Sequence, residues 1–139
     1  MKTLLILFTF LSFFTWSQDT TSIEKEIFNK ITTYRSKKNL NKLLYNCDMV
    51  KSCREHSYFM GKNDNLVHVK DIMSVNASAE IIQQTYIDEQ THSELATSVL
   101  NDFLSSPSHK KIIESKYIKI SVGVFIGKDE SIWVTIRFF

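Results

Sequence analysis

The clearest pattern in this chain is a strict alternation at its end. Ile132, Val134, Ile136 and Phe138 fall at every second position, so they share one face of an extended strand. Trp133 lies on the opposite face, which predicts a strand covered on both sides. A second run over 118–126 precedes it. The polar residues 127–130 lie between them, so the two runs read as a β-hairpin. Upstream the period changes. Ile23, Ile27, Ile31 and Tyr34 recur at helical spacing, with Phe28 widening the stripe. Thr21-Ser22-Ile23-Glu24 has the form of a capping box that opens that helix. The pattern fades near Lys38-Asn39, and Leu40, Leu43 and Leu44 follow in a connecting stretch expected to pack onto the core. Asp48 can cap a second helix through about Met60, with Met49, Val50, Cys53, Ser57 and Met60 facing inward and a polar turn over 61–65 ending it. Thr91-His92-Ser93-Glu94 is another capping box, followed by the apolar face of Leu95, Val99, Leu100, Phe103 and Leu104. Pro107 disfavours helical geometry at Ser106, so this helix should stop near Ser105. Residues 66–90 are open: Val67 and His68 read as extended, and Glu80-Ile81-Ile82 fits a strand or a helix start. Helices first and a hairpin last predict an α+β domain.

The N-terminus sets the compartment. Lys2 is followed by an apolar run from Leu4 to Phe14, broken only by Thr9 and Ser12, and then by Thr15-Trp16-Ser17 with small residues suited to cleavage after Ser17. This is the form of a Sec-type signal peptide over 1–17, and it predicts a secreted or periplasmic protein with one domain over 18–139. The apolar run is too short for a spanning helix, which needs about 20 residues. No Cys follows it to carry a lipid. The remainder is long enough for one domain with a real core. Glycine is scarce, proline occurs once, and no repeat or linker breaks the chain. A net charge of +2 for the whole chain gives no electrostatic footprint for nucleic acid. The lysine pairs Lys37-Lys38 and Lys110-Lys111 read as solvated surface. Cys47 and Cys53, if on one helix, stand about 9 Å apart at 1.5 Å per residue. A disulfide needs less than about 7 Å, so two thiols are expected, with Cys53 a small buried apolar residue.

Several local phrases then carry a family resemblance. Asn29 and Arg35 lie on the first helix, and His56-Ser57 with Met60 on the second. Leu66-Val67-His68, Ala79-Glu80-Ile81, and Phe103 followed by Ser106-Pro107-Ser108-His109 come next, and Val122-Gly123-Val124 and Trp133-Val134 close the chain. In this order and spacing the chain resembles the CAP superfamily, the cysteine-rich secretory, antigen 5 and pathogenesis-related 1 group, in its bacterial SCP-like form. The resemblance covers about residues 23–139. It implies an α-β-α sandwich with a small, mainly antiparallel sheet, and a cleft in which His68, Glu80 and His109 meet. The chain also departs from the family pattern. Ala79 and Ile81 flank the glutamate where the family has Gly and Asn, and Phe103 replaces a tryptophan. No glutamate lies between Leu95 and His109, where many members carry a second one; Asp102 is the only carboxylate there.

Two imidazoles and a carboxylate are suitable ligands for Zn²⁺ or another divalent cation, and with an open position they could activate a water. The same trio can equally be a hydrogen-bonded brace. His56 and His92 are expected to be structural or solvated. Ser106 and Ser108 beside His109 do not make a nucleophile, because no strained Gly-x-Ser-x-Gly elbow is present. Two functions follow as expectations. The first is a secreted, non-enzymatic module whose His/Glu cleft binds a lipid, a peptide or a cell-envelope component. The alternative is a metal-dependent hydrolase in which His68 and His109 are ligands and Glu80 is a ligand or general base.

Overall fold

A computed structural model of the chain describes residues 16–88 and 90–139. The expected leader over 1–17 lies outside them except for Trp16 and Ser17, which stand in the first helix. Four helices and four strands follow: α1 (Trp16–Lys37), β1 (Leu44–Tyr45), α2 (Val50–Asn63), β2 (Ala79–Tyr86), α3 (His92–Ser105), α4 (Pro107–Glu114), β3 (Lys119–Ile126) and β4 (Ser131–Phe138). They form one mixed sheet in the order β1-β3-β4-β2. β1 runs parallel to β3, and the other pairs are antiparallel. The α+β architecture and the terminal hairpin are as the alternation predicts.

One face of the sheet meets α1 and α3. Ile23, Ile27 and Ile31 from α1 and Leu95, Ala96, Val99 and Phe103 from α3 bury themselves on Ile81, Val122, Val124, Ile132, Val134, Ile136 and Phe138. The other face meets α2 through Cys53, Ser57 and Met60, all fully buried. These are small or flexible side chains, so the helix backbone comes down close to β3. A Cβ on Gly123 would collide with the backbone of Cys53 and Arg54, and this position must therefore be glycine. Ser57 Oγ lies 3.0 Å from the Gly123 carbonyl and 2.8 Å from Thr135 Oγ1, which satisfies polar groups that have no water to meet.

The edge of β3 beyond the short β1 is closed by side chains. Glu24 Oε1 accepts from the Val124 N–H at 3.0 Å, and the same carboxylate takes two hydrogen bonds from Arg54 of α2. Helix α1 is thereby tied to α2 around the sheet. At the other end of α1 the buried Arg35 guanidinium donates to the carbonyls of Ile113, Ser115 and Asn41, joining α1, the connecting stretch and the end of α4.

The differences from the sequence expectation have local causes. α1 begins upstream of the Thr21–Glu24 pattern. α2 runs on past Met60 to Asn63 and stops where Asp64 adopts a left-handed conformation (φ 45°). Leu43 is buried as expected, but Leu44 is 55 % exposed. Pro107 does end α3, yet it also opens α4, because proline suits the first position of a helix. The Thr91 capping box is formed as read. Both cysteines are free thiols; Cys47 is exposed and Cys53 buried, with burial pushing the Cys53 thiol up to about 12.

Candidate functional site

The site is built on the α2 face of the sheet, where β2 is the edge strand. Glu80 of β2 stands directly opposite Arg137 of β4 in the register. Both side chains therefore point the same way. A buried guanidinium needs a counter-charge, and Arg137 finds one: Nε donates to Glu80 Oε2 at 2.8 Å. Its Nη1 donates to Ser52 Oγ on α2 at 2.7 Å. The other carboxylate oxygen, Glu80 Oε1, accepts from the Val69 N–H at 2.9 Å and lies 3.1 Å from His68 Nδ1. His56 Nε2 from α2 stands 3.8 Å from the same oxygen. Burial alone would raise the Glu80 pKa. The Val69 N–H and Arg137, with His56 nearby, more than reverse that and hold the carboxyl below its ordinary range.

The acceptors fix the tautomers. A carboxylate only accepts, so His68 Nδ1 carries a proton, and more than half of the side chain is open to solvent. The Val67 carbonyl likewise only accepts, so His56 Nε2 donates to it at 2.9 Å. The strand leading to Glu80 is held in place by its own chemistry. Asp71 caps a short 3₁₀ turn over Ile72–Val75 by accepting from the Met73 N–H, and Asn76 closes the turn in a left-handed conformation. The Ser78 N–H then donates to the Phe138 carbonyl and delivers the chain into β2. A recess of about 480 Å³ opens in front of the imidazoles, with Phe59, Val67 and Lys70 on its walls. The Phe59 ring stacks on His56 at 6.3 Å between centroids.

His109 sits on the other side of this edge. It lies in the first turn of α4, edge-on to Phe103 at 5.4 Å. With Leu66, Gln83, Asp102 and Ser106 it lines a second recess of about 290 Å³. Gln83 points away from the Glu80 side because three residues along a strand reverse the face. Its Nε2 donates to Asp102 Oδ2 at 2.8 Å, while its Oε1 is buried without a partner among the described residues. Desolvation, and then the nearby His68, lower the His109 pKa. The structure thus joins His68 to Glu80 directly, while His109 stands across the rim of β2 in a separate recess. Asp102, whose direction the sequence left open, is turned toward Gln83 and lines the same recess as His109.

The sequence reading missed His56 and Arg137. Signals for both were present. Ser52, His56 and Phe59 recur at helical spacing on the flank of the Cys53–Ser57–Met60 stripe. Arg137 shares the phase of Trp133, so a charged residue there had to be buried and paired. Both Glu80 oxygens are engaged in this arrangement, Oε2 by Arg137 and Oε1 by the Val69 N–H with His68. Among the described residues no group of three or more His, Cys, Asp or Glu is placed to hold an ion.

The comparisons with known proteins agree with this fold. An outer surface protein from Borrelia burgdorferi superposes with a TM-score of 0.68 at 22 % identity, covering 86 % of this chain and 93 % of that one. An extracellular protein containing an SCP domain from Bacillus anthracis superposes with a TM-score of 0.69 at 18 % identity, covering 92 % of this chain and 44 % of that one. No curated protein matches the sequence. The model of the CAP family, the cysteine-rich secretory protein family, matches residues 28–138. This chain therefore belongs to the CAP family.

Proposed function

We propose that this chain is an exported CAP domain that works as a binding module, with the His56–His68–Glu80 cleft as its ligand site. The observation that carries this reading is the state of Glu80. Its carboxylate is braced on both oxygens and held ionised, which makes it a fixed anchor for the His68 imidazole rather than a group free to pick up and release protons in turnover. In front of it the recess offers the outward edge of His68, the Lys70 ammonium, and the apolar faces of Phe59 and Val67. That lining suits an amphipathic ligand: a lipid, a peptide or another cell-envelope component with an acceptor or anionic group at one end. The leader pattern supports export, as do the surface and extracellular settings stated for the two bacterial proteins of like fold.

The test is ligand retention. Immobilised protein is exposed to lipid and peptide fractions of the native envelope, and the bound material is read by mass spectrometry. Wild type should retain a discrete amphipathic species that the His68→Ala, Lys70→Ala double variant loses. Identical retention by both would place binding elsewhere. The alternative of a metal-dependent hydrolase on His68, Glu80 and His109 rests on their donor chemistry, with His68 already bonded to Glu80. It predicts that Zn²⁺ raises the melting temperature by mass action on the native state, and that the effect is lost in His68→Ala and His109→Ala. With Glu80 committed, the binding-module reading expects no such shift.

A further inference from the structure

The modest net charge hides a strong segregation. Residues 30–47 and 103–119 together hold nine of the chain's 17 lysines and arginines, and of its 15 acidic residues only Glu114. The fold gathers these two segments at one end. Tyr34 Oη donates to Glu114 at 2.5 Å, Arg35 bonds the last carbonyls of α4, and Asn41 Nδ2 donates to the Tyr117 carbonyl at 2.6 Å. Leu44 pairs with Lys119 in the sheet. The one acid is thus taken up by a tyrosine, and the one arginine is buried. Lys37, Lys38, Lys42, Lys110, Lys111, Lys116 and Lys119 are all exposed, and no ion pair to any of them is present among the described residues.

Two further features lie within this lysine field. Leu44 and Ile118 are 55 % and 65 % exposed, and they are hydrogen-bonded neighbours, the Leu44 N–H donating to the Ile118 carbonyl. Beside them, Thr32, Thr33 and Ser36 with Lys37 and Lys42 line a recess of about 400 Å³, and Thr32 Oγ1 is buried there without a partner among the described residues. Lysines alone would suit any polyanion. A pair of aliphatic side chains standing out among them suits an interface that is anionic at its surface and apolar just beneath it. Hydroxyls and ammonium groups around a small recess suit a phosphate group.

We infer that this end of the domain, formed by the last turn of α1, the stretch to β1 and the start of β3, docks on an anionic lipid bilayer, with Leu44 and Ile118 entering the interface. The surface is separate from the cleft and does not depend on what the cleft holds.

The experiment is co-flotation of the purified protein with vesicles of phosphatidylcholine, alone or mixed with phosphatidylglycerol. Binding should require phosphatidylglycerol and weaken as salt is raised. Each lysine near an anionic surface contributes about 1 kcal/mol, so Lys37→Gln, Lys42→Gln, Lys119→Gln together should cost on the order of 100-fold in partition. Lys51→Gln, Lys62→Gln, Lys128→Gln changes the net charge equally but lies on α2 and the hairpin turn. β3 alone separates Lys119 from that turn by about 23 Å. This second set should change binding by less than about fivefold, one lysine's worth. Leu44→Ser, Ile118→Ser should weaken vesicle binding while leaving retention on a heparin column unchanged. Unchanged melting temperatures in all three variants would show that the fold is intact. Equal losses in the two lysine sets would overturn the inference, since net charge alone would then explain binding. Retention on heparin without any vesicle binding would overturn it too, by identifying a soluble polyanion as the partner.

Discussion

On the side packed by α1 and α3, the sheet presents Ile81, Val122, Val124, Ile132, Val134, Ile136 and Phe138. On the side packed by α2, the same strands present Glu80, Ser121, Gly123, Trp133, Thr135 and Arg137, all buried as well. The first face is held by area. Any well-filled aliphatic surface would serve, and burial contributes about 25 cal/mol per Å² whatever the exact shapes. The second face is held by pairing. Ser57 meets Gly123 and Thr135, Arg137 meets Glu80 and Ser52, and each of these groups would be costly alone. The cleft opens on the second face. Fixed direction is what a site needs, and hydrogen bonds give direction where aliphatic packing does not.

The largest effect should come from breaking the aliphatic face. Ile132 is fully buried between α1, α3 and the neighbouring strands. Ile132→Asp removes that packing and adds a charge that nothing on this face can pair. The cost should exceed about 5 kcal/mol, comparable with the whole stability of a small domain. Circular dichroism should show an unfolded or molten chain at room temperature. A cooperative melt within a few degrees of wild type would mean that the two faces differ less than stated.

The paired face should behave differently, because its cost can be undone. Arg137→Met leaves the Glu80 carboxylate buried without its main counter-charge, and should lose about 3–5 kcal/mol in urea unfolding. Adding Glu80→Leu removes the stranded charge and should recover most of that loss. The same double variant should still abolish ligand retention, because His68 loses its anchor. Stability would then be rescued and function not. If the double variant is no more stable than the single one, Arg137 contributes through packing of its stem and not through the pair.

The two faces were also unequally legible in the sequence. The aliphatic face follows from period-two alternation in β4 and helical spacing in α1, signals that local geometry alone produces. The hairpin, the third helix with its Thr91–Glu94 box and the buried Cys53 were read for the same reason. The paired face was only half read. His68 and Glu80 were found through family phrases, and they do meet. His56, expected to be structural or solvated, and Arg137 were not assigned to the site: their helical and strand phases were legible, but the groups they meet, Val67 and Glu80, were not. α4 was missed because one proline gives two signals, a stop for the helix before it and a start for the helix after it. The strand nature of 79–86 was undecidable locally, since Glu80-Ile81-Ile82 has no clean period. Pairing with β4 decides it.

The smallest expected effect lies at the rim between the faces, where His109 stands. Desolvation and the neighbouring His68 lower its pKa below the ordinary 6.5. The folded state therefore prefers the neutral ring, while the unfolded chain takes up a proton more readily. By linkage, the stability due to His109 is fully present above about pH 6.5, where both states are neutral. It is lost as pH falls from the ordinary value toward the lowered one. Glu80, also lowered, acts in the same direction further into acid, its contribution fading as pH falls through the folded-state pKa. Melting temperature measured from pH 8 downward should hold level, then decline in two stages. His109→Asn should flatten the first stage by a few degrees and leave the second in place. Glu80→Gln should lower the melting temperature at neutral pH, since it weakens the bond to Arg137, and should flatten only the second stage. If His109→Asn leaves the first stage unchanged, another histidine titrates there. The rim would then be more open to water than its packing against Phe103 implies, and His109 would belong to the solvent rather than to the site.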